Sequence, residues 1–351
     1  MINKNGANSL VRAAAILFVA VALSACQVVV IEEPAPVTTT TTPINTVFRI
    51  ITVEYWPYEV AITPDGTKAY VTNASSNTVS VINTATGIVS ATIAVGSHPY
   101  GVAITPDGTK AYVINSFGNR DNVNGTVSVI NTATNTVSAT IAVGRSAVGV
   151  AITPDGTKAY VTNSYDDTVS VINTATNAVV GLPIAVGDGP GDIAITPDGT
   201  KAYVTNGGSN TVSVIDTATN AVVGSAITVG DAARHVAITP DGTKAYVTNG
   251  GSNTVSVINT VAGIVSATIA VDGPGYIAIT PDGTKVYVIN AGSNTVSVIN
   301  TATGIVSAAI AVGNSPAGIA ITPDGTKAYV VNNRDPSLAA SKGTVSVIRI
   351  A

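Results

Sequence analysis

"TPDGTKAYVTN", Thr63 to Asn73, decides the fold, because with small edits the chain writes this phrase six more times. Its aspartates fall at 65, 107, 155, 198, 241, 282 and 324, at spacings of 42, 48, 43, 43, 41 and 42 residues. A period of this size outranks the length of 351 residues as a guide to domain count, since each repeat is one supersecondary unit that buries its apolar face only against its neighbours. Within one unit four β segments are legible: "YGVAIT" (Tyr100 to Thr105), "KAYVIN" (Lys110 to Asn115), "TVSVIN" (Thr126 to Asn131) and "TVSATIAV" (Thr136 to Val143). Each is short, rich in β-branched residues and bounded by turn chemistry. In "TPDGT" the proline presets φ at the second turn position, the aspartate bonds its own backbone, and the glycine takes the left-handed residue that lets a hairpin close. A second turn, "NTAT" followed by Gly or Asn, joins the third and fourth segments.

A four-stranded meander at this period predicts an all-β protein: a seven-bladed β-propeller of four-stranded antiparallel blades spanning residues 47–351. The last unit stops after its third strand, in "GTVSVIRIA". The missing fourth strand stands at the other end of the propeller, where "VFRIITVEYWPYEVAI" (Val47 to Ile62) aligns without gaps to "VSATIAVGSHPYGVAI" (Val89 to Ile104). Residues 47–53 are therefore expected beside 344–350, closing the last blade with the N-terminal strand. Composition agrees: 46% hydrophobic, 33 Gly, 17 Pro and only 10% charged, as a globular β protein requires.

Before the propeller, Lys4 and Arg12 precede an apolar run, Ala13 to Ala22, too short to span a bilayer and suited to a signal peptide over residues 1–25. The run ends in Leu23-Ser24-Ala25-Cys26, and Cys26 is the single cysteine of the chain. This stretch resembles the lipobox of bacterial lipoproteins. The resemblance implies cleavage before Cys26 and a thioether-linked lipid on its sulfur, anchoring the chain to a membrane. Gln27 follows, where lipoproteins kept at the inner membrane often carry Asp, so the outer membrane is favoured. Residues 26–46, with five consecutive threonines and three prolines, read as a tether.

"YVTN" at Tyr70 to Asn73 recurs from Tyr160, Tyr203 and Tyr246 and varies to "YVIN" or "YVVN" in the other units. In this the chain resembles the YVTN family of β-propeller repeat proteins of bacterial periplasms and archaeal surface layers. The resemblance implies the fold and an envelope location; it implies little about activity, because such propellers serve as binding scaffolds, surface components and occasionally enzymes.

Function is expected where the repeats disagree. The "TPDG" and "NTAT" turns form one nearly uniform face, and the second–third and fourth–first connections form the other. Outside the repeated Asp and Lys, the loops of the variable face hold ten acidic and five basic residues. They also hold Tyr55, Trp56, Tyr58, Tyr100, Phe117, Tyr165 and Tyr276, and both histidines. The fourth–first loops lead to the rim of the central channel. Trp56, Tyr58, Glu59, His98, Tyr100, Arg145, Asp192, Arg234, His235 and Tyr276 are accordingly expected to converge there as a ligand-binding site. The competing account is that exposed loops tolerate polar residues of any kind.

Chemistry is less legible. His98 and His235 come from blades three apart with no carboxylate at metal-ligand spacing. The acidic loops "DGPGD" and "SYDD" offer Ca²⁺ oxygen ligands without the alternation of a dedicated loop. No cofactor is expected, and no catalytic residue is assigned, since no "GxSxG" elbow occurs. With 16 basic residues, two of them in the signal segment, against 20 acidic ones, nucleic acid is not an expected partner. The expectation is a monomeric, lipid-anchored envelope module that binds a protein, peptide or glycan. The alternatives are a metal-dependent lactonase-like hydrolase at the channel mouth and a purely structural surface component.

Overall fold

The computed structural model describes residues 43–116, 123–307, 309–336, 338 and 342–350. The signal segment, Cys26 and almost all of the tether lie outside them, as do Phe117, Arg120 and Asp121. The propeller belongs to a unit that runs from Thr42 to Ala351.

Seven antiparallel sheets make the seven blades, and among the described residues there is no helix. Blade 1 runs Pro57–Ile62, Lys68–Asn73, Thr78–Asn83 and Ile88–Ala94 from the axis outward. The repeated turn folds as its residues dictate. Gly66 takes φ 71° and its N–H bonds the Thr63 carbonyl at 2.8 Å. The Asp65 carboxylate accepts from the Thr63 hydroxyl at 2.6 Å and from the Thr67 N–H at 3.0 Å. These bonds, that of Thr63 first, hold the Asp65 carboxyl below its ordinary value.

Blade 7 is assembled from both ends of the propeller. Its sheet order puts Thr46–Thr52 outside Thr344–Arg349, which pairs with Lys327–Arg334 and then Asn314–Ile321. The closing register pairs Ile51 with Val345 and Thr52 with Thr344. Because Thr46 stands opposite Arg349, in the row of Lys327, the chain enters the ring at the uniform face.

One expectation needs refining. In blades 3 and 4 the fourth strand is not continuous but split into Ala178–Val179 with Ile184–Ala185 and Ala221–Val222 with Ile227–Thr228. The sequences "AVVGLPIAV" and "AVVGSAITV" carry one residue more than "IVSATIAV". The extra length is absorbed at Gly181 (φ 72°) and Gly224 (φ 70°), in the manner of a bulge.

The core consists of seven clusters set between neighbouring blades. One joins Ile51, Val331, Val345 and Val347 of blade 7 to Val60, Ala69, Val71 and Ile82 of blade 1. Apolar burial, the dominant favourable term in folding, is therefore earned between blades rather than within them.

Candidate functional site

Every inner strand begins with the same irregularity, and that irregularity builds the channel mouth. The residue before Pro57, or before the position that matches it, has positive φ in all seven blades: Trp56, His98, Ser146, Gly189, Ala232, Gly273 and Ser315, between 50° and 60°. Register then slips, between Pro57 and Val60 in blade 1 and at the matching place in the others. The two residues inside the slip sit at the axis. They read Tyr58-Glu59, Tyr100-Gly101, Val148-Gly149, Gly191-Asp192, Arg234-His235, Gly275-Tyr276 and Ala317-Gly318. Five blades pair a glycine with another residue, and only blades 1 and 5 contribute two large side chains. Close approach explains these glycines except Gly275: a Cβ on Gly101 would stand 2.6 Å from the Val148 carbonyl oxygen, and one on Gly318 would stand 2.7 Å from that of Tyr58.

The threonine of "YVTN" holds this arrangement. Thr72 Oγ1 accepts the Glu59 N–H at 3.0 Å and donates to the Tyr100 carbonyl of the next blade at 2.7 Å. Thr162 and Thr205 repeat the pattern with Gly149 and Gly191, and with Asp192 and Arg234. The acids make a second inter-blade clamp. Asp192 Oδ2 accepts the Val236 N–H at 3.1 Å, and the Glu59 carboxyl accepts that of Val102.

A cavity of about 370 Å³ opens at this mouth, lined by Tyr58, Glu59, Val148, Asp192, Arg234, His235, Tyr276, Ala317 and Asn333, with glycines, alanines and a proline between them. Tyr58 packs on Tyr100 with ring centres 4.1 Å apart and meets Tyr276 edge-on at 5.8 Å. His235 stacks on Tyr276 at 3.6 Å, and its Nδ1 lies 3.5 Å from Asp192 Oδ2. Burial, with the Asp192 charge adding to it, pushes the Glu59 carboxyl well above its usual range. Burial likewise raises Tyr276 far above its ordinary value and Tyr58 to about 12, so both remain neutral phenols. Other cavities, such as that of about 480 Å³ among Thr105, Asp107, Lys110 and Asp155, are formed on the uniform face by scaffold residues that recur in every blade.

Of the ten residues expected at the site, the structure brings seven together: Tyr58, Glu59, Asp192, Arg234, His235 and Tyr276 line the cavity, and Tyr100 supports Tyr58. Trp56, His98 and Arg145 stand elsewhere. The left-handed turn leaves Trp56 and His98 exposed on the rim. Trp56 carries Arg334 over its ring at 5.2 Å. Arg145 pairs with Asp166 and covers Tyr165 at 4.3 Å. Tyr55 lies under Lys342, which also bonds Glu54 at 2.9 Å. Rim aromatics are thus packed by the protein's own cations. Of the Ca²⁺ candidates, Asp166 is taken by Arg145, and Asp167 accepts the Gly189 N–H at 2.7 Å. Among the described residues no three His, Cys, Asp or Glu side chains gather closely enough to share a metal ion. Sequence reasoning missed the walls made by Val148, Ala317 and the paired glycines. The signal was present in the repeat alignment, since in every blade the second and third positions after the one aligned with Trp56 face the axis.

Two known families match parts of the chain: the YNCE-like beta-propeller family over residues 156–231 and the lactonase, 7-bladed beta-propeller family over residues 216–342. Each covers less than half of it, so what they define together is the class, a β-propeller. No curated protein matches the chain. Among solved structures, a chain of Kuenenia stuttgartiensis Hydrazine Synthase is similar at a TM-score of 0.74 and 27% identity, covering 86% of this chain and 97% of that one. A functionally unknown protein from Desulfotomaculum acetoxidans DSM 771 is similar at 0.67 and 25% identity, covering 77% and 90%.

Proposed function

We propose that this protein is a lipid-anchored envelope module whose propeller binds a small ligand, or the tip of a peptide or glycan, at the channel mouth. The observation that carries the reading is the departure from repeat symmetry at one place. Seven near-identical blades put different side chains at the axis, and these enclose a cavity with an apolar wall and a few converging polar groups, the usual composition of a ligand site. The lipobox-like Leu23 to Cys26 supports the anchor. Replacement Cys26→Ser should move the protein to the soluble fraction with the propeller still folded; retention of the processed variant in the membrane would remove the anchor from the account.

Binding is tested by thermal shift against a panel of metabolites, cell-wall sugars and peptides, using wild type and Val148→Trp, which fills the cavity without removing a polar group. Ligands that stabilise wild type alone support the reading, whereas a panel whose every hit survives the plug argues against it. The match to seven-bladed lactonase propellers over residues 216–342 favours one second reading, a lactone hydrolase using the same mouth. Lactones in the panel, followed for ring opening, separate turnover from binding.

A further inference from the structure

We infer that the channel mouth takes an organic cation, its ammonium head seated between Tyr58 and Tyr276 beside the Glu59 carboxyl; this rests on the mouth being the binding site. The molecule's own pairing pattern carries the argument. On the rim, Trp56, Tyr165 and Tyr55 each have a protein cation over the ring, from Arg334, Arg145 and Lys342. The three channel tyrosines have none among the described residues, and neither Glu59 nor Asp192 pairs with a lysine or arginine there. Arg234 lines the cavity and its charge reaches Tyr58, but the side chain is exposed and lies along its own blade's loop against Gly250, over none of these tyrosine rings. The interior therefore presents two tyrosine rings, whose π clouds carry the negative lobe of the quadrupole, and two carboxyl groups, against one exposed guanidinium that pairs with neither acid. Its volume of about 370 Å³ leaves room for a trimethylammonium head with a short tail.

Ionisation follows from the same geometry. In the empty channel burial keeps a proton on Glu59 above the usual carboxylate range, the Asp192 charge adding to this. The titratable and charged groups around it are Asp192, Tyr58, Tyr100, Tyr276, His235 and Arg234. An arriving cation favours the carboxylate form, so binding releases this proton and tightens as pH rises.

The test is calorimetric titration of the full chain with choline, with its uncharged carbon isostere dimethylbutanol, and with acetate. Choline should bind at least about tenfold more tightly than the isostere, the size of a desolvated cation–π and charge contribution, and acetate should not bind. Glu59→Gln should weaken choline about tenfold, leave the isostere unchanged and abolish the tightening with pH, while melting as a folded protein. Equal binding of choline and its isostere, or no saturation by choline, overturns the inference whatever the variant does. If Val148→Trp blocks panel ligands that are all neutral or anionic, the cation falls and the binding reading stands. If the plug blocks nothing, both fall.

Discussion

At the scale of the residue, each letter of "YVTN" has its own task. The tyrosine reaches the next blade: Tyr160 Oη donates to the Thr217 carbonyl at 3.2 Å and to Asn220 Oδ1 at 2.6 Å. The valine fills the core, the threonine clamps neighbouring inner strands, and the asparagine bonds two hydroxyls of its own hairpin, as Asn163 does with Thr168 and Ser170. Where the blade needs less, the motif relaxes, so Ile114, Ile289 and Val331 replace the threonine without a change of fold. Tyr160→Phe should cost about 1 kcal/mol, the net worth of a buried hydrogen bond, measured by urea denaturation; no change would mean the hydroxyl is idle. His98 is held at φ 50° on the exposed rim, and left-handed backbone costs a non-glycine residue about 1 kcal/mol. His98→Gly should therefore stabilise by roughly that amount and leave ligand capture intact. Glu59 carries a pH signature. Its raised pKa means that, above the ordinary carboxylate value, the native state keeps a proton the unfolded chain has lost, so its contribution to stability falls with rising pH until Glu59 itself ionises. Glu59→Gln should melt higher than wild type at alkaline pH and show a shallower decline.

At the scale of the element, the closing strand is the piece whose loss reaches furthest. Ile51 and Val53 are 5% and 3% exposed and belong to the cluster that joins blades 7 and 1. Ile51→Ala should cost about 2 to 5 kcal/mol, as other large-to-small changes in a core do. Deleting residues 47–53 should lower Tm far more than deleting 27–46, because it strips an edge and unpairs Thr344–Arg349. Equal melting temperatures for the two deletions would contradict the closure. The elements themselves were legible because each is specified locally: "TPDGT" is a turn in any context, and β-branched runs between such turns can pair only with one another. The gap-free alignment of Val47 to Ile62 even exposed the circular closure. The split fourth strands were harder to see, since a single inserted residue leaves the β pattern intact and shifts only its register.

At the scale of the whole molecule, repetition sets the response to acid. Asp65, Asp107, Asp155, Asp198, Asp241, Asp282 and Asp324 all lie below the ordinary carboxylate value, held there first by the hydroxyl of the threonine two residues earlier. Each contributes stability that is full above the unfolded value, about 3.9, and is lost as pH falls through the lowered one. Circular dichroism melts should show Tm dropping steeply in that acid window, and Asp65→Asn alone should change the profile little, because six copies remain. The site was less legible than the fold. Repeat comparison picked out loops from which seven of the ten named residues meet at the mouth, but direction depends on backbone. A left-handed residue followed by a register slip sends Tyr58 and Glu59 inward while Trp56, their close neighbour, turns to the rim.

The central claim is that function resides in the channel mouth. Its most direct test is a crystal structure grown with whichever panel ligand stabilises wild type but not Val148→Trp. The account predicts density for that ligand in the cavity, in contact with Tyr58, Tyr276 and Glu59. Density on the uniform face or confined to the rim loops, with the cavity unchanged, would contradict it.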